Sequence, residues 1–200
     1  MVHPVTHIAL PLAALHAPDY PLETARLRLR PFNRGDVDAV FAYRSRVDVS
    51  EYLSDMPLSH DECTEAVRGR IAQIALTEEG DKIVLAVEHA ASGHLIGEVS
   101  FIWRSVVDGQ AEIGYIIDPA AQGQGYATEA ASALLRFGFE TVGLHRIYAR
   151  CDARNDASWH VMERLGMHRE AHFRDHVRSK GRWYEEYIYA VREDDWRARR

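Results

Sequence analysis

The sequence predicts an α/β domain of the α+β type, in which about four helices flank a mixed, mostly antiparallel sheet of seven strands. Two observations predict this fold. Three strand-like segments, at 82–88, 94–103 and 110–117, follow one another before helices and strands begin to alternate. The full order is β-α-α-β-β-β-α-β-α-β-β, and a run of consecutive strands is typical of antiparallel pairing.

The first third of the chain contains one strand and two helices. Leucine alternates with arginine in ARLRLRP (25–31), which predicts a half-buried strand that ends at the proline. A helix is predicted over 36–46. A second helix begins after Ser59, because Ser59 and Glu62 form a capping box, and we expect it to end near Gly80.

The remaining two thirds contain the other predicted elements. The strands 82–88 and 94–103 form a hairpin, since Ala91-Ser92-Gly93 lies between them. The elements that follow are a strand at 110–117, a helix at 124–141 ended by Gly143, a strand at 146–152, a helix at 155–165 ended by Gly166, and strands at 167–173 and 183–192.

The length of 200 residues suits one domain, which we place at 22–192. Residues 193–200 are expected to be a C-terminal tail. Residues 1–21 are mildly apolar, but no lysine or arginine precedes the apolar run and Pro4, Pro11 and Pro18 interrupt it. This pattern predicts an extended N-terminal arm rather than a signal peptide.

The composition excludes several classes of protein. Only two cysteines, Cys63 and Cys151, are present and lie far apart, which favours a reduced, cytoplasmic chain over a secreted disulfide framework. No apolar run approaches the roughly 20 residues that span a bilayer, so no membrane association is expected. The formal net charge of −6 disfavours non-specific nucleic-acid binding, which depends on lysine and arginine.

A glycine-rich turn at 122–129, QGQGYATE, is the densest functional signal. It joins the strand 110–117 to the next helix, and its glycines let a ligand approach the main chain closely. Unpaired N–H groups and the positive end of the helix then favour an anion such as a pyrophosphate. A plain strand-to-helix turn is the alternative. The Gly-x-Gly-x-x-Gly context of a dinucleotide fold and the Gly-Lys-Ser/Thr of a P-loop are both missing.

Two segments of the chain resemble the GNAT superfamily of N-acetyltransferases. Residues 110–129 resemble motif A, whose signature Gln/Arg-x-x-Gly-x-Gly/Ala is met by Gln122, Gly125 and Ala127. Residues 145–167, HRIYARCDARNDASWHVMERLGM, resemble the adjoining motif B. The order of elements over about 22–192 matches that fold, and the chain closely resembles the branch that includes ribosomal-protein N-terminal acetyltransferases.

The resemblance implies that acetyl-CoA binds between two splayed parallel strands, 110–117 and 146–152. The pantetheine arm would pair with the main chain of Ile116 and Ile117. Asn155 would hydrogen-bond the same arm, although a helix-capping role is also open. The pyrophosphate would bind the main-chain N–H groups of Gln122, Gly123, Gln124, Gly125, Tyr126, Ala127 and Thr128. No metal is implied.

The resemblance also implies two catalytic residues. Glu112, on the central strand, is the predicted base, acting through water; a structural carboxylate paired with arginine is the alternative. Ser158 is the predicted acid or thiol hydrogen-bond partner, and a capping role in the first helical turn is the alternative. Many members use a tyrosine on this helix for the purpose, but Met162 stands at that position and cannot donate a proton.

Other features near the C-terminus have weaker functional readings. Ribosomal-type relatives can carry a glutamate where Val177 stands here, and Asp175 or His176 is a possible substitute. The spacing of His168, His172 and His176 would suit zinc only on a helix, whereas a strand and a loop are predicted. The basic loop 174–182 is interpreted as solvated. The aromatic and acidic run 183–187 suits either a cationic amine or a packed sheet edge.

Three functions of the chain remain open. The first is acetylation of a protein N-terminal amine, of ribosomal type. The second is acetylation of a small amine such as a drug, a polyamine or an amino acid. The third is a CoA-binding module with little catalysis. Oligomeric state is also open, with a homodimer as the family-level expectation.

Overall fold

A computed structural model describes residues 17–199, so most of the predicted arm, residues 1–16, lies outside the described part. The strands are β1 (Leu22–Glu23), β2 (Leu27–Pro31), β3 (Lys82–His89), β4 (Leu95–Ser105), β5 (Gln110–Ile117), β6 (Arg146–Asp152), β7 (His168–Ser179) and β8 (Arg182–Arg192). The helices are α1 (Val37–Arg44), α2 (Val47–Ser50), α3 (His60–Ile71), α4 (Tyr126–Arg136), α5 (Asp156–Arg164) and α6 (Glu193–Ala198). No helix within 17–199 is long and apolar enough to cross a membrane.

The strands form one sheet in the order β1-β2-β3-β4-β5-β6-β8-β7. Only β5 and β6 pair in parallel, and every other neighbouring pair is antiparallel. The predicted mixed, mostly antiparallel class is therefore confirmed. The sheet has eight strands rather than seven because the short β1, which the sequence pattern did not reveal, pairs with β2.

Helices cover both faces of the sheet. Along β3, Leu85 and Val87 belong to one buried cluster while Val84 and Ala86 belong to a second, so the two clusters lie on opposite faces. The larger cluster receives the apolar faces of α4 and α5. The smaller one receives α1 and α3, chiefly through Val40, Tyr43, Cys63 and Val67.

The helix α3 ends at Ile71 and not near Gly80 as the sequence pattern predicted. Its start is as expected, because the Ser59 hydroxyl accepts from the Glu62 N–H and the Glu62 carboxylate accepts from the Ser59 N–H. Beyond Ile71 the chain joins the sheet instead: the Val84 N–H donates to the Gln73 carbonyl at 2.9 Å. The sequence pattern predicted Ile74 and Ala75 on a continued helical stripe, and that prediction is wrong.

The prediction of a loop at 174–182 is wrong for residues 174–179, since β7 runs on to Ser179 and forms a long hairpin with β8. The register shifts between Phe173 and Val177, where Asp175 has φ +47°, so a bulge interrupts the alternation that would have identified the strand. The expected C-terminal tail contains the helix α6.

The helix α4 continues as a π-helical turn, Phe137–Val142, before it ends at Gly143. Within this turn Gly138 lies directly against two fully buried side chains. A Cβ at Gly138 would stand 2.5 Å from Ile147 Cδ1 and 3.0 Å from Phe101 Cε2. The absence of a side chain at 138 thus lets the turn pack closely on β4 and β6.

Replacement of Gly138 by alanine should lower the free energy of unfolding by about 1–3 kcal/mol, because the added methyl group overpacks the core. The matched control is Gly69→Ala in α3, where a Cβ meets nothing within 4 Å and alanine favours the helix. Urea denaturation of both variants checks the prediction. Equal stability of the two variants would contradict it.

Candidate functional site

The strands β5 and β6 pair over only three residues and then separate. Their register runs from Gln110 opposite Arg146 to Glu112 opposite Tyr148 and goes no further. The separation opens a cavity of about 220 Å³. Its lining includes residues from β4, β5, β6, α5 and the segment after α2, among them Tyr52, Leu53, Glu98, Gly114, Tyr115, Ile116, Arg150, Cys151, Asn155, Ser158 and Met162.

Main-chain groups of β5 face this gap. The Asp118 N–H donates to the Ile96 carbonyl on the β4 side at 2.9 Å. Because successive peptide groups alternate, those of Ile116 also point to β4, whereas those of Tyr115 and Ile117 point to the gap. The Ile117 carbonyl accepts from Gln122 Nε2 at 2.9 Å. Ile116 lines the cavity, but its main-chain groups point to β4, and the N–H groups that face the gap belong to Tyr115 and Ile117.

The glycine turn lies at the end of the same gap. Gly123 has φ +76° and Gly125 has φ +81°, a left-handed conformation that glycine adopts without strain. The helix α4 begins at Tyr126 directly after Gly125, so its first N–H groups have no partner within the helix. The Thr128 hydroxyl in this turn is buried and makes no hydrogen bond within the described chain. These features suit a ligand with anionic oxygens.

A single carboxylate fixes the turn in place. Glu129 accepts hydrogen bonds from Thr24 Oγ1 at 2.6 Å and from Arg26 N at 2.8 Å, and forms an ion pair with the Arg26 guanidinium at 2.6 Å. Burial alone would raise the pKa of Glu129, but the bonds from Thr24 and Arg26 outweigh it and lower that pKa. The sequence pattern did not reveal this contact between residues 103 positions apart.

Arg26 also contacts the turn itself. Its Nη1 donates to the Gln124 carbonyl at 3.0 Å, and its guanidinium lies 4.6 Å from the centre of the Tyr126 ring. The segment that precedes β2 therefore contacts the turn at Gln124, at Tyr126 and at Glu129. We did not predict a role for Arg26, and its only sequence signal was one arginine among several in the ARLRLRP run.

Ser158 lies in the cavity wall with three close neighbours. The Tyr115 hydroxyl donates to the Ser158 carbonyl at 2.8 Å and stands 3.1 Å from Ser158 Oγ. The Ser158 N–H donates to Asn155 Oδ1 at 3.1 Å, so Asn155 does cap α5. Burial raises the pKa of the Cys151 thiol to about 12, even though a hydrogen bond with Ser158 opposes the rise.

Glu112 faces a different space from Ser158. It forms ion pairs with Arg104 at 2.7 Å and Arg150 at 3.0 Å and lines an open groove of about 560 Å³ beside the cavity. Burial and the neighbouring Glu112 raise the pKa of Tyr148, which shares this groove. Glu112 lines the groove and Ser158 lines the cavity, so the two do not share a space. Arg150 lines both.

Tyr52 and Leu53, in the segment after α2, line the cavity. The β7–β8 hairpin lines the neighbouring groove through Phe173, His176, Glu186 and Ile188, and we call these two segments the roof. The Arg154 guanidinium lies 5.6 Å from the Tyr52 ring centre and 5.2 Å from that of Tyr184. At the hairpin tip, Lys180 Nζ donates to the Ser50 carbonyl.

The three spaced histidines do not converge. His172 pairs with Glu185 at 2.5 Å and His176 with Glu186 at 3.7 Å. Across residues 17–199, no cluster of three or more histidine, cysteine or acidic side chains has a metal-binding arrangement.

Comparison with known proteins agrees with this geometry. The family described as "Acetyltransferase (GNAT) domain" matches residues 26–168. An uncharacterized N-acetyltransferase of Bacillus subtilis, YnaD, is 32% identical over 175 residues, which cover 88% of this chain and 98% of the relative. The [ribosomal protein uS5]-alanine N-acetyltransferase of Escherichia coli is 32% identical over 84 residues, 42% of this chain and 43% of that protein.

Solved structures show the same likeness. A GNAT-family acetyltransferase from Bacillus anthracis superposes with a TM-score of 0.77 at 31% identity, covering 86% of this chain and 98% of that one. Spermidine N-acetyltransferase from Vibrio cholerae, solved in complex with CoA and spermine, gives 0.73 at 25% identity, covering 86% and 99%. Motif A contains β5 and motif B contains β6, the two strands that separate. The chain therefore belongs to the GNAT family of N-acetyltransferases.

Proposed function

We propose that the chain transfers the acetyl group of acetyl-CoA to a primary amine, with a protein N-terminal amine as the preferred acceptor. The observation that carries the proposal is the gap between β5 and β6, with an anion cradle at one end and the Tyr115–Ser158 pair in its wall. This arrangement suits a long ligand that has phosphates at one end and a reactive thioester at the other.

The residues at the gap fit acetyl-CoA, which supplies an acetyl group activated as a thioester. The N–H groups from Gln122 to Thr128 would hold the pyrophosphate, and the buried Thr128 hydroxyl offers one further hydrogen bond. The main-chain N–H of Ile117, with Ile116 beside it, would pair with the pantetheine arm. Asn155 spends its Oδ1 on capping α5, which leaves its amide N–H groups for the same arm.

Two groups would stabilise charge during transfer. The N–H groups of Tyr115 and Ile117 are directed at the gap, where one of them would polarise the thioester carbonyl. The Ser158 hydroxyl would donate a hydrogen bond to the departing sulfur. Met162 lines the same cavity but offers no proton, so Ser158 is the side-chain hydroxyl of α5 available here.

Glu112 is the proposed base and would act through water. It lies on β5 in the groove from which an amine would approach, with 12% of its side chain exposed. Its two guanidinium partners hold it in a fixed position. Because it lies outside the cavity that contains Ser158, a direct contact with the reacting nitrogen is not part of the proposal.

The charges of the groove favour a peptide amine over a polyamine. Each carboxylate that faces the groove already has a basic partner: Glu112 pairs with Arg104 and Arg150, and Glu186 with Arg150. A polycation would have to displace these arginines, with a loss of ion pairs in a partly buried site. The open groove of about 560 Å³ also suits a peptide segment.

A small-amine acceptor is the second candidate. It is favoured by the likeness to the spermidine N-acetyltransferase of Vibrio cholerae, whose solved structure contains CoA and spermine. The likeness to the uS5-alanine N-acetyltransferase, which extends over 42% of the chain, favours the first candidate instead.

Substitution of Gly123 by alanine should weaken acetyl-CoA binding about tenfold or more, because the new methyl group would occupy space that the pyrophosphate needs. Gly143→Ala is a matched control: both glycines have φ +76°, and a Cβ at either position meets nothing within 4 Å. Both variants should lose about 1–2 kcal/mol of stability from left-handed strain. Calorimetric titration with acetyl-CoA checks the difference, and equal affinities would contradict the cradle assignment.

The acceptor class is tested by release of free thiol from acetyl-CoA with peptides and small amines in parallel. We expect a higher kcat/KM for peptides that begin with serine, alanine or threonine than for spermidine. The control peptides have the same sequences with a blocked N-terminus and one internal lysine, and they should not react. Turnover of spermidine alone would favour the second candidate, and no turnover with any amine would refute transferase activity.

Replacement of Glu112 by glutamine should lower kcat/KM about 100-fold at neutral pH, since a positioned base contributes that order of rate. The loss should shrink as the pH rises and the free amine loses its proton without help. Arg104→Gln is the control, because it removes one ion pair and keeps the carboxylate. An unchanged pH–rate profile in the Glu112 variant would show that the residue serves only its ion pairs.

A further inference from the structure

Tyr115 is a polar side chain of the cavity wall whose role the sequence did not predict. It lies on β5, and its hydroxyl reaches across the gap to α5 on the far side. Its two contacts are with the same residue: the Ser158 carbonyl at 2.8 Å and Ser158 Oγ at 3.1 Å. Three hydrogen-bonding groups of Ser158 are thereby engaged, since its N–H donates to Asn155.

We infer that Tyr115 is a positioning residue that holds the Ser158 hydroxyl and strengthens its hydrogen bond to the sulfur of CoA. This inference rests on the proposed acetyl transfer and adds to it a residue that acts through Ser158. Tyr115 itself does not donate to the sulfur.

The hydrogen atoms can be placed from the geometry. In the resting site the Tyr115 hydroxyl donates its hydrogen to the Ser158 carbonyl, and the phenol oxygen is free to accept from Ser158 Oγ. As acetyl transfer proceeds, the C–N bond forms, the C–S bond breaks and its electron pair moves to sulfur. The serine hydroxyl then rotates to donate to sulfur, and the phenol hydrogen turns to Ser158 Oγ.

No covalent proton transfer through Tyr115 is required. The proton that the amine loses passes to water, and water later protonates the thiolate, so the reaction balances without another reactant. Hydrogen bonds in a chain polarise one another, so the phenol makes the serine hydroxyl a better donor to a charged sulfur. Burial raises the pKa of Tyr115 well above its ordinary value, which keeps the phenol protonated.

Cys151 is a further titratable group beside Ser158, and Glu98 and Arg150 line the same cavity. Its thiol shares Ser158, but with its pKa raised to about 12 by burial it stays neutral at physiological pH. It therefore brings no charge that would compete with the thiolate of CoA for the serine hydroxyl. Asp152 and Glu186 lie close enough to raise the Cys151 pKa further, and neither carboxylate hydrogen-bonds Ser158 or Tyr115 in the described chain.

The test measures the acidity of the CoA thiol bound to the full chain, so it needs no acceptor. Thiolate absorbance is followed between about pH 6 and 10, near ordinary thiol values, with S-methyl-CoA, which has no ionisable thiol, as the blank. Wild type is compared with Tyr115→Phe, Ser158→Ala and the double variant. The matched control is Tyr20→Phe, since the Tyr20 hydroxyl likewise donates to a backbone carbonyl, that of Ile74 at 2.6 Å, away from the cavity.

The bound thiol should be about tenfold less acidic in Tyr115→Phe and in Ser158→Ala than in wild type, as loss of a hydrogen bond to a charged group predicts. The double variant should match Ser158→Ala alone, because Tyr115 acts through the serine. In turnover assays Tyr115→Phe should lower kcat about tenfold with KM for acetyl-CoA unchanged, and Tyr20→Phe should equal wild type.

Each contrary result has a separate meaning. If CoA binds and the thiol acidity is the same in wild type and Tyr115→Phe, the inference is overturned while the acetyl-CoA proposal stands. If the bound thiol is less acidic in the double variant than in Ser158→Ala, Tyr115 contacts the sulfur directly and the positioning role is wrong. If CoA does not bind to wild type, the proposed function fails together with the inference.

Discussion

The separation of β5 from β6 after three residue pairs is the constraint on which the rest of the site depends. Backbone groups in a sheet interior need partners, and here the N–H groups of Tyr115 and Ile117 face the gap instead, while the Ile117 carbonyl accepts from Gln122 Nε2. The neighbouring strands make this tolerable: β6 pairs with β8 over Arg146–Asp152, and β5 pairs with β4 along its whole length. Each strand is therefore held from its outer side, and the gap between them does not depend on a ligand.

The two ends of the gap are fixed independently of each other. At one end, Glu129 ties the glycine turn to Thr24 and Arg26, which precede β2. At the other, the Tyr115 hydroxyl of β5 crosses the gap and donates to the Ser158 carbonyl of α5. Neither contact involves the helices α1 and α3 or the β7–β8 hairpin. The gap and the glycine turn are thus held without those helices or that hairpin, which agrees with a family that shares one fold and whose named members differ in acceptor.

Local patterns predicted the elements around the gap well and the contacts between distant segments not at all. The strand β5, the glycine turn and the capping role of Asn155 follow from residues within one or two turns of chain. The bond of Tyr115 to Ser158 joins positions 43 apart, and that of Glu129 to Arg26 joins positions 103 apart, so neither leaves a periodic signal. The bulge at Asp175 hid the second half of β7 for the opposite reason, since it broke a pattern that was present.

The attachment of the roof has a consequence for how this chain diverges from its relatives. Lys180 meets a backbone carbonyl of α2, and Arg154 lies over the rings of Tyr52 and Tyr184, so the hairpin tip and the segment after α2 are joined by contacts outside the two buried clusters. Insertions or exchanges at the hairpin tip would leave the hydrophobic core intact. Selection can therefore alter what enters the groove at little cost in folding, while the parted strands and the glycine turn stay unchanged.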